Sequence, residues 1–268
     1  MKYLFYVLAT AGLAYSVHFE FNQSYVTASL IAALIHVVIW TCASWLAFRG
    51  HRGTALGMLW GAACTGPAVF FNSHFTTILE KLQLQWLDAA GFAPITEETL
   101  KFIGVLLICT YFIKPQRTRD FVYVGIAVGM GFAIVEDCTF IAHLTLKDLD
   151  SDLMGATTGV LIRFIGCTFA HSLFTGIAAY GLARGRALAG WMGGVTVHFF
   201  TNLFPSLDAT FPESLWLPIA TLVVVGAIWI ASLWFIVRQI RQSRRERGSS
   251  RRVSSKSSAR ESLLSVAK

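Results

Sequence analysis

Long apolar segments dominate this sequence and determine the medium in which the chain can fold. A spanning helix needs about 20 mostly apolar residues to cross roughly 30 Å of hydrocarbon. The chain is 55% hydrophobic and 14% charged, with a mean hydropathy of +0.59, which is typical of a membrane protein. The first segment lacks the strongly basic start of a secretory signal, so we expect it to be retained. We predict an all-α, polytopic transmembrane helix bundle with about eight spanning helices, at 3–19, 25–47, 54–71, 95–113, 121–142, 156–183, 187–204 and 216–237.

Basic residues concentrate in alternate loops, which predicts the orientation of the chain. Lys and Arg occur in residues 48–53, 114–120 and 183–186 and after Val237, whereas the loops between them carry mostly Asp and Glu. Short loops rich in Lys and Arg stay on the cytoplasmic side. We therefore expect a multi-pass protein of the plasma membrane with both termini in the cytoplasm. The formal net charge of +7 then reflects topology, and a nucleic-acid partner is not needed to explain it.

The composition divides the chain into one membrane domain, residues 1–237, and a tail, residues 238–268. The tail is rich in Ser and Arg and nearly free of apolar residues, which predicts a disordered cytoplasmic segment. It can anchor the topology at anionic headgroups or bind a regulatory partner, and the sequence leaves both open. The cysteines are odd in number, lack metal-type spacing and all fall within predicted spans, which argues against a disulfide framework or a zinc knuckle: Cys42, Cys64, Cys109, Cys138 and Cys167.

Ionisable residues in four predicted spans fall at nearly the same depth in the membrane. Counted along each helix from its inner end, at about 1.5 Å per residue, they lie roughly 18 to 24 Å up. A charged group in hydrocarbon costs a few kcal/mol or more, so such groups should face the bundle interior and pair there. Each residue alone has an ordinary structural explanation, such as a helix-dipole contact or an interhelical hydrogen bond. Their shared depth predicts one buried site made of Glu97, Glu98, Glu136, Asp137, His171 and His198.

Each of these segments also has a side-chain partner one helical turn away. Residues at i and i+4 share a helix face, so the partner can orient its neighbour or contact the same bound species. Gly125 and Gly129 show the same spacing, which would let another helix approach that face closely. The four pairs are Glu97 with Lys101, Phe132 with Glu136, His171 with Thr175, and His198 with Asn202.

The segments EETLK, FAIVE, HSLFT and HFFTN follow in this order on successive predicted helices. They resemble the E-E-x-x-K, F-x-x-x-E, H-x-x-x-T and H-x-x-x-N motifs of the PrsW family of intramembrane proteases, which is related to the CAAX prenyl proteases and to a non-catalytic subunit of γ-secretase. The resemblance covers residues 94–204. It implies a membrane-embedded peptidase acting on membrane-anchored proteins, of which anti-sigma factors are the namesake substrates. The prenyl protease type has His where this chain has Glu136, so a prenylated substrate is less expected.

Two versions of peptide hydrolysis fit these residues, and the sequence leaves both open. In one, Glu136, His171 and His198 bind Zn²⁺, which leaves a fourth position for water, and one of the glutamates that open EETLK accepts the proton. In the other no metal takes part: Glu97 with Glu136 activates water, and His198 with Asn202 stabilises the oxyanion.

Two other function classes use similar residues. Proton and cation transporters place carboxylates and histidines at the midplane, although inverted repeats and interrupted helices are not visible in this sequence. A non-catalytic scaffold would be expected to lose an acid or a His, whereas all four motifs are intact. Arg163 and His36 also fall within predicted spans, and we expect Arg163 to be near the surface or paired and His36 to be structural.

The loop charges give a direct test of the topology. Reporter fusions after Gly53, Pro115 and Gly185 should report the cytoplasm, because these loops carry the basic residues. Fusions after Asp150 or Asp208 should report the opposite side. A cytoplasmic signal from the fusion after Asp150 would contradict the eight-helix topology.

Overall fold

The computed structural model describes residues 1–48, 50–51, 53–84, 87–147, 151–166 and 169–266. All regular secondary structure in these ranges is helical, which confirms the all-α prediction. Two π-helical turns, Asp88–Phe92 and Cys109–Ile113, extend the fourth helix at its two ends. The helices are α1 (Lys2–Phe21), α2 (Thr27–Phe48), α3 (Thr54–Lys81), α4 (Ala93–Ile108), α5 (Thr118–Lys147), α6 (Asp152–Gly166), α7 (Ala170–Ala183), α8 (Ala187–Thr210) and α9 (Leu217–Val266).

Five of the described helices are long and apolar enough to cross a membrane: α1, α2, α3, α5 and the Leu217–Gln242 part of α9. The other four carry most of the predicted polar site or lie beside it. Of these, α6 and α7 have 15 and 14 residues, fewer than the roughly 20 of a simple spanning helix, whereas α4 with its two π-helical turns covers residues 88–113. The chain is therefore a polytopic membrane protein, and eight is an approximate number of spans.

Helix α5 is the centre of the bundle, and its glycines allow close contact on two sides. A Cβ added at Gly131 would lie 2.1 Å from the carbonyl oxygen of Met58 in α3. On the other side, added Cβ atoms at Gly125 and Gly129 would lie 2.6 and 2.3 Å from the carbonyl oxygens of Thr175 and His171 in α7. The predicted role of Gly125 and Gly129 in helix packing is confirmed, with α7 as the approaching helix.

Helix α4 is held against α3 by Trp60. The indole nitrogen of Trp60 donates a hydrogen bond of 2.9 Å to the main-chain carbonyl of Leu100. Gly104 gives the ring its space, since an added Cβ would lie 2.0 Å from an indole carbon. Phe5 of α1 stacks on the same indole at 5.2 Å. This packing fixes α4, and with it the EETLK segment, beside α3.

The structure describes two helices, α6 and α7, within the span predicted at 156–183. Both run antiparallel to α5 and follow one another along it. In α6, an added Cβ at Gly159 would lie 3.3 Å from the Cα of Ile141, and in α7 Thr175 lies against Gly125. The described parts of this segment therefore pass along α5 in one direction, as a single span would.

Side chains of α6 and α7 meet at one carboxylate of α5. Arg163 and His171 both contact the same oxygen of Glu136, at 2.6 and 3.1 Å. This shared oxygen joins the three helices at the site. Cys167 and residues 148–150 lie outside the described residues.

Helix α9 continues beyond its apolar part as far as Val266. The composition of residues 238–268 instead predicts disorder, and that expectation stays a prediction, as does the division of the chain at Val237. Cys42, Cys64, Cys109 and Cys138 lie in helical segments and are free thiols, in agreement with the absence of a disulfide pattern in the sequence.

The close glycine contacts predict the positions at which a larger residue would destabilise the bundle. Gly61→Ala would place a Cβ 2.0 Å from the Val128 carbonyl oxygen and 2.6 Å from the Phe132 amide nitrogen, and neither backbone atom can move without shifting α5. We expect a loss of about 1–3 kcal/mol, the usual cost of overpacking, seen as a lower melting temperature of the purified protein. Gly226→Ala is the matched control, because an added Cβ there meets nothing within 4 Å. Equal melting temperatures for the two variants would contradict this packing.

Candidate active site

The first turns of α4 bring two carboxylates and an ammonium into the bundle interior. Glu97, Glu98 and Lys101 are 5%, 0% and 0% exposed. The Nζ of Lys101 lies 2.6 Å from Oε1 of Glu98 and 3.5 Å from Oε2 of Glu97. A buried charge is stable only when it is paired, so the ammonium holds both carboxylates in place. The predicted pairing of Glu97 with Lys101 is confirmed.

His171 connects this cluster to α5. Its Nδ1 lies 2.8 Å from Nζ of Lys101, and its Nε2 lies 3.1 Å from Oε2 of Glu136. An ammonium can only donate hydrogen bonds, so Nδ1 of His171 is the acceptor. Nε2 of His171 therefore carries the proton and donates it to Glu136. The contacts therefore assign His171 as a neutral imidazole with a defined tautomer.

His198 approaches the two glutamates from α8. Its Nδ1 lies 3.1 Å from Oε1 of Glu98, and its ring stacks on Phe174 at 4.7 Å. The carboxylate can only accept, so Nδ1 carries the proton and the lone pair of Nε2 points away from Glu98. That Nε2 lies 3.9 Å from Oε2 of Glu97. The rings of His198 and His171 are 5.1 Å apart, so both imidazoles border one small region.

The environments of the two adjacent glutamates differ. Glu98 is saturated, because Oε1 accepts from Lys101 and His198 and Oε2 accepts from Thr175 at 3.2 Å. Glu97 accepts at Oε1 from the amide of Asn72 at 3.2 Å, while its Oε2 receives Lys101 only at 3.5 Å and faces His198. Glu98 is therefore committed to holding other side chains, and Glu97 presents an oxygen to the region between the histidines.

Glu136 and its neighbour Asp137 share a cation from α6. Arg163 donates from Nη2 to Oε2 of Glu136 at 2.6 Å and from Nε to Oδ1 of Asp137. Nε2 of His36 lies 3.1 Å from the other oxygen of Asp137. The expectation that Arg163 is paired is thus correct, and His36 contacts the same group of charges.

The remaining predicted residues divide into those that touch the site and one that lies beyond it. The ring of Phe132 lies 4.0 Å below Nζ of Lys101 and 5.0 Å from the ring of His171, so it forms an apolar wall with a favourable cation–π contact. Asn202 donates instead to the main-chain carbonyl of Ala89 at 2.9 Å. In the described part of the chain it links α8 to the π-helical turn before α4.

Sequence reasoning missed Asn72 as a member of the site. It lies in the part of α3 beyond the predicted span, and it carries no motif. Besides its bond to Glu97, its Oδ1 accepts a hydrogen bond from Thr96. The only signal was an amide within an apolar stretch, FFNSHF, and such a residue has many ordinary explanations.

The donor set of the site fits a metal ion, although with a different carboxylate from the one predicted. Ligand atoms of Glu97, His171 and His198 all lie within 4.8 Å of one another. Two imidazoles and a carboxylate are a known ligand set of catalytic zinc sites. Glu136, the predicted ligand, is drawn to Arg163 and to Nε2 of His171. Because Lys101 and Glu136 occupy both nitrogens of His171, binding a metal at this histidine requires one of these contacts to open.

The charge of the cluster is also compatible with a divalent cation. With the histidines neutral, three buried carboxylates and the partly exposed Glu136 face two permanent cations, so two negative charges remain unbalanced. A divalent ion would neutralise them, as would two protons. The groups counted are Glu97, Glu98, Glu136 and Asp137 against Lys101 and Arg163.

A comparison with protein-family profiles matches residues 51–233 to the PrsW family of intramembrane metalloproteases. The chain belongs to this family. The matched region includes α3 to α8 and thus every residue of the site except His36. No curated protein and no solved structure matches the chain. Membership in the PrsW family confirms the resemblance carried by the four motifs and places the chain among membrane-embedded proteases.

Removing the central ammonium gives a test of the charge arrangement. Lys101→Met keeps the size of the side chain but leaves Glu98 buried without its cation, which typically costs about 3–5 kcal/mol. The melting temperature of the purified protein should fall accordingly. The double variant with Glu98→Gln should recover part of the loss, since the uncompensated charge is then gone. A single variant as stable as the native protein would show that Lys101 does not hold the cluster together.

Proposed function

We propose that the protein is an intramembrane endopeptidase that hydrolyses peptide bonds of membrane-anchored protein substrates at this buried site. One observation carries the proposal. Oε2 of Glu97 and Nε2 of His198 face each other at 3.9 Å, and in the tautomer assigned above both atoms are hydrogen-bond acceptors. Lys101 reaches this Oε2 only at 3.5 Å, and a carboxylate oxygen can accept two hydrogen bonds, so a second donor shared with Nε2 of His198 can be accommodated. A water molecule that donates to both atoms would be held and polarised there, as hydrolysis requires.

In this proposal Glu97 is the general base. It presents one oxygen to the reacting region, and the amide of Asn72 fixes the other oxygen. Glu98 acts on His198, because its acceptance of the Nδ1 proton determines the tautomer and the direction of the Nε2 lone pair. This division of roles assigns the proton transfer to the first of the two glutamates.

Lys101, Thr175 and Phe132 support this arrangement. Lys101 and Thr175 saturate the remaining acceptors of Glu98, and Phe132 covers the ammonium from below. The oxyanion role predicted for Asn202 stays a prediction. Its contact with Ala89 supports a different part, fastening α8 to the start of α4 so that His198 remains opposite Glu97.

The family description and the donor set support a zinc-dependent form of the same reaction. Glu97, His171 and His198 would hold the ion, and a bound Zn²⁺ supplies a Lewis acid for the scissile carbonyl and a hydroxide nucleophile. Glu136 would then keep its contact with Arg163 and remain beside the site. Glu97 is needed in both the metal-dependent and the metal-free form.

The family also supports a class of substrate and a location. We propose membrane-anchored regulatory proteins of the anti-sigma-factor type as substrates, because the motifs and the profile match the PrsW family. We further propose the plasma membrane with both termini in the cytoplasm, which the alternation of basic loops supports.

Exchange of the proposed base tests the function. Glu97→Gln preserves size and hydrogen bonding but cannot accept the proton, so cleavage of a membrane-anchored substrate per folded molecule should fall about 10² to 10⁴-fold. Cleavage by the His198→Ala variant should fall by a similar factor, since this substitution removes the acceptor that faces Glu97. Glu80→Gln, at an exposed glutamate near the end of α3, is the matched control and should cleave normally. Unchanged specific activity of Glu97→Gln would refute the proposed function.

Metal removal separates the two forms of the reaction. If the zinc form is correct, the purified protein should contain close to one zinc per chain, and chelation should abolish cleavage until zinc is returned. Glu97→Gln and His171→Ala should also lower the zinc content, which is measured independently of activity. Full cleavage after complete metal removal would reject the zinc form and leave the glutamate form.

A further inference from the structure

We propose that Arg163 is a positioning residue of this peptidase: it holds the carboxylate of Glu136 against His171, and Asp137 with His36 holds Arg163. The inference rests on the proposed function, because it concerns the geometry of the same site. It assigns a role to three residues that carry none of the four sequence motifs.

The contacts around the guanidinium are directional. Nη2 donates to Oε2 of Glu136 at 2.6 Å, and Nε donates to Oδ1 of Asp137. The face of the guanidinium lies 4.1 Å from the ring centre of Phe140. Arg163 is thus held by three side chains of α5 and can adopt few other positions. The planar guanidinium suits this arrangement, because its N–H groups can donate two hydrogen bonds in different directions.

Burial distinguishes the two carboxylates that Arg163 contacts. Asp137 is fully buried, and its other oxygen lies 3.1 Å from His36 of α2, so it belongs to the interior of the bundle. The side chain of Glu136 is 16% exposed and faces His171. One buried carboxylate is enough to pair the buried Arg163. The second bond, to Glu136, is directed toward the active site.

The effect of this bond passes to the reacting groups through His171. Oε2 of Glu136 receives Arg163 and also the Nε2 proton of His171, while Lys101 occupies Nδ1 of the same ring. The ring is therefore oriented from both sides. If Arg163 is lost, Glu136 is free to rotate, and one of the two contacts that orient His171 is lost with it. Groups that orient a functional histidine in this way typically change activity about 10 to 100-fold when removed.

A conservative substitution separates positioning from simple charge pairing. Arg163→Lys keeps the positive charge near Asp137 but replaces the planar guanidinium by a single ammonium nitrogen on a shorter side chain. We expect nearly native melting temperature, a kcat about 10 to 100-fold lower per folded molecule, and a KM within about threefold of native. Arg163→Met should lower both kcat and stability, because the buried Asp137 and the partly exposed Glu136 then lack their cation. Asp137→Asn, which keeps an acceptor for Nε, should be milder than Asp137→Ala.

Gly159→Ala is the matched control, since it disturbs the packing of α6 on α5 one turn away and leaves all charges in place. It should leave kcat per folded molecule at the native value, whatever its effect on the melting temperature. A double-mutant cycle of Arg163→Met with Glu136→Gln, read out as melting temperature, measures the contact without any use of activity. The stability loss from Arg163→Met should be smaller when Glu136 is already neutral.

The outcomes distinguish this inference from the proposed function. If Arg163→Lys cleaves at the native rate while Glu97→Gln is inactive, the peptidase stands and the positioning role is wrong. If kcat falls only in proportion to the folded fraction, Arg163 is merely structural and the inference is again wrong. If Glu97→Gln retains full activity, the proposed function fails, and the positioning role fails with it even where the melting temperatures show coupling.

Discussion

The buried ammonium of Lys101 is the interaction on which the site depends. It lies within 3.5 Å of two carboxylates and a histidine that come from α4 and α7, in a region from which a solvated charge would be excluded. Each of these groups alone would be too costly to bury. Together they are stable, and the direction in which the ammonium donates also decides which nitrogen of His171 carries the proton. Charge compensation and the choice of the His171 tautomer are thus achieved by the same contact.

The glycine surfaces of α5 explain how four helices can meet at one depth. Gly131 admits the backbone of α3, while Gly125 and Gly129 admit α7, so the helices that carry Asn72 and His171 approach as closely as backbones permit. The side chains at the centre of the bundle are closely packed, and each lies near several hydrogen-bonding partners. This is why each carboxylate there has more than one donor.

Counting residues from the inner end of each span predicted much of the site, because depth along a helix follows directly from a constant rise per residue. Glu97, Glu98, His171 and His198 do converge. Depth does not say which faces meet, however, and so the sequence could not assign Glu136 to Arg163, place Asn202 against Ala89, or bring Asn72 from α3 to Glu97. These contacts depend on the order in which helices pack and on side-chain reach.

The two adjacent glutamates show how packing gives different roles to the same residue type. Neighbouring positions on a helix point about 100° apart, so Glu97 and Glu98 cannot share one environment. Glu98 points toward Thr175 and the protonated nitrogen of His198, where every acceptor is used. Glu97 points toward the lone pair of that histidine, and its Oε2 has only the 3.5 Å contact with Lys101. The paired-glutamate motif therefore provides one carboxylate that fixes the histidine and a second in a different environment, which is the one that the proposed function uses as the base.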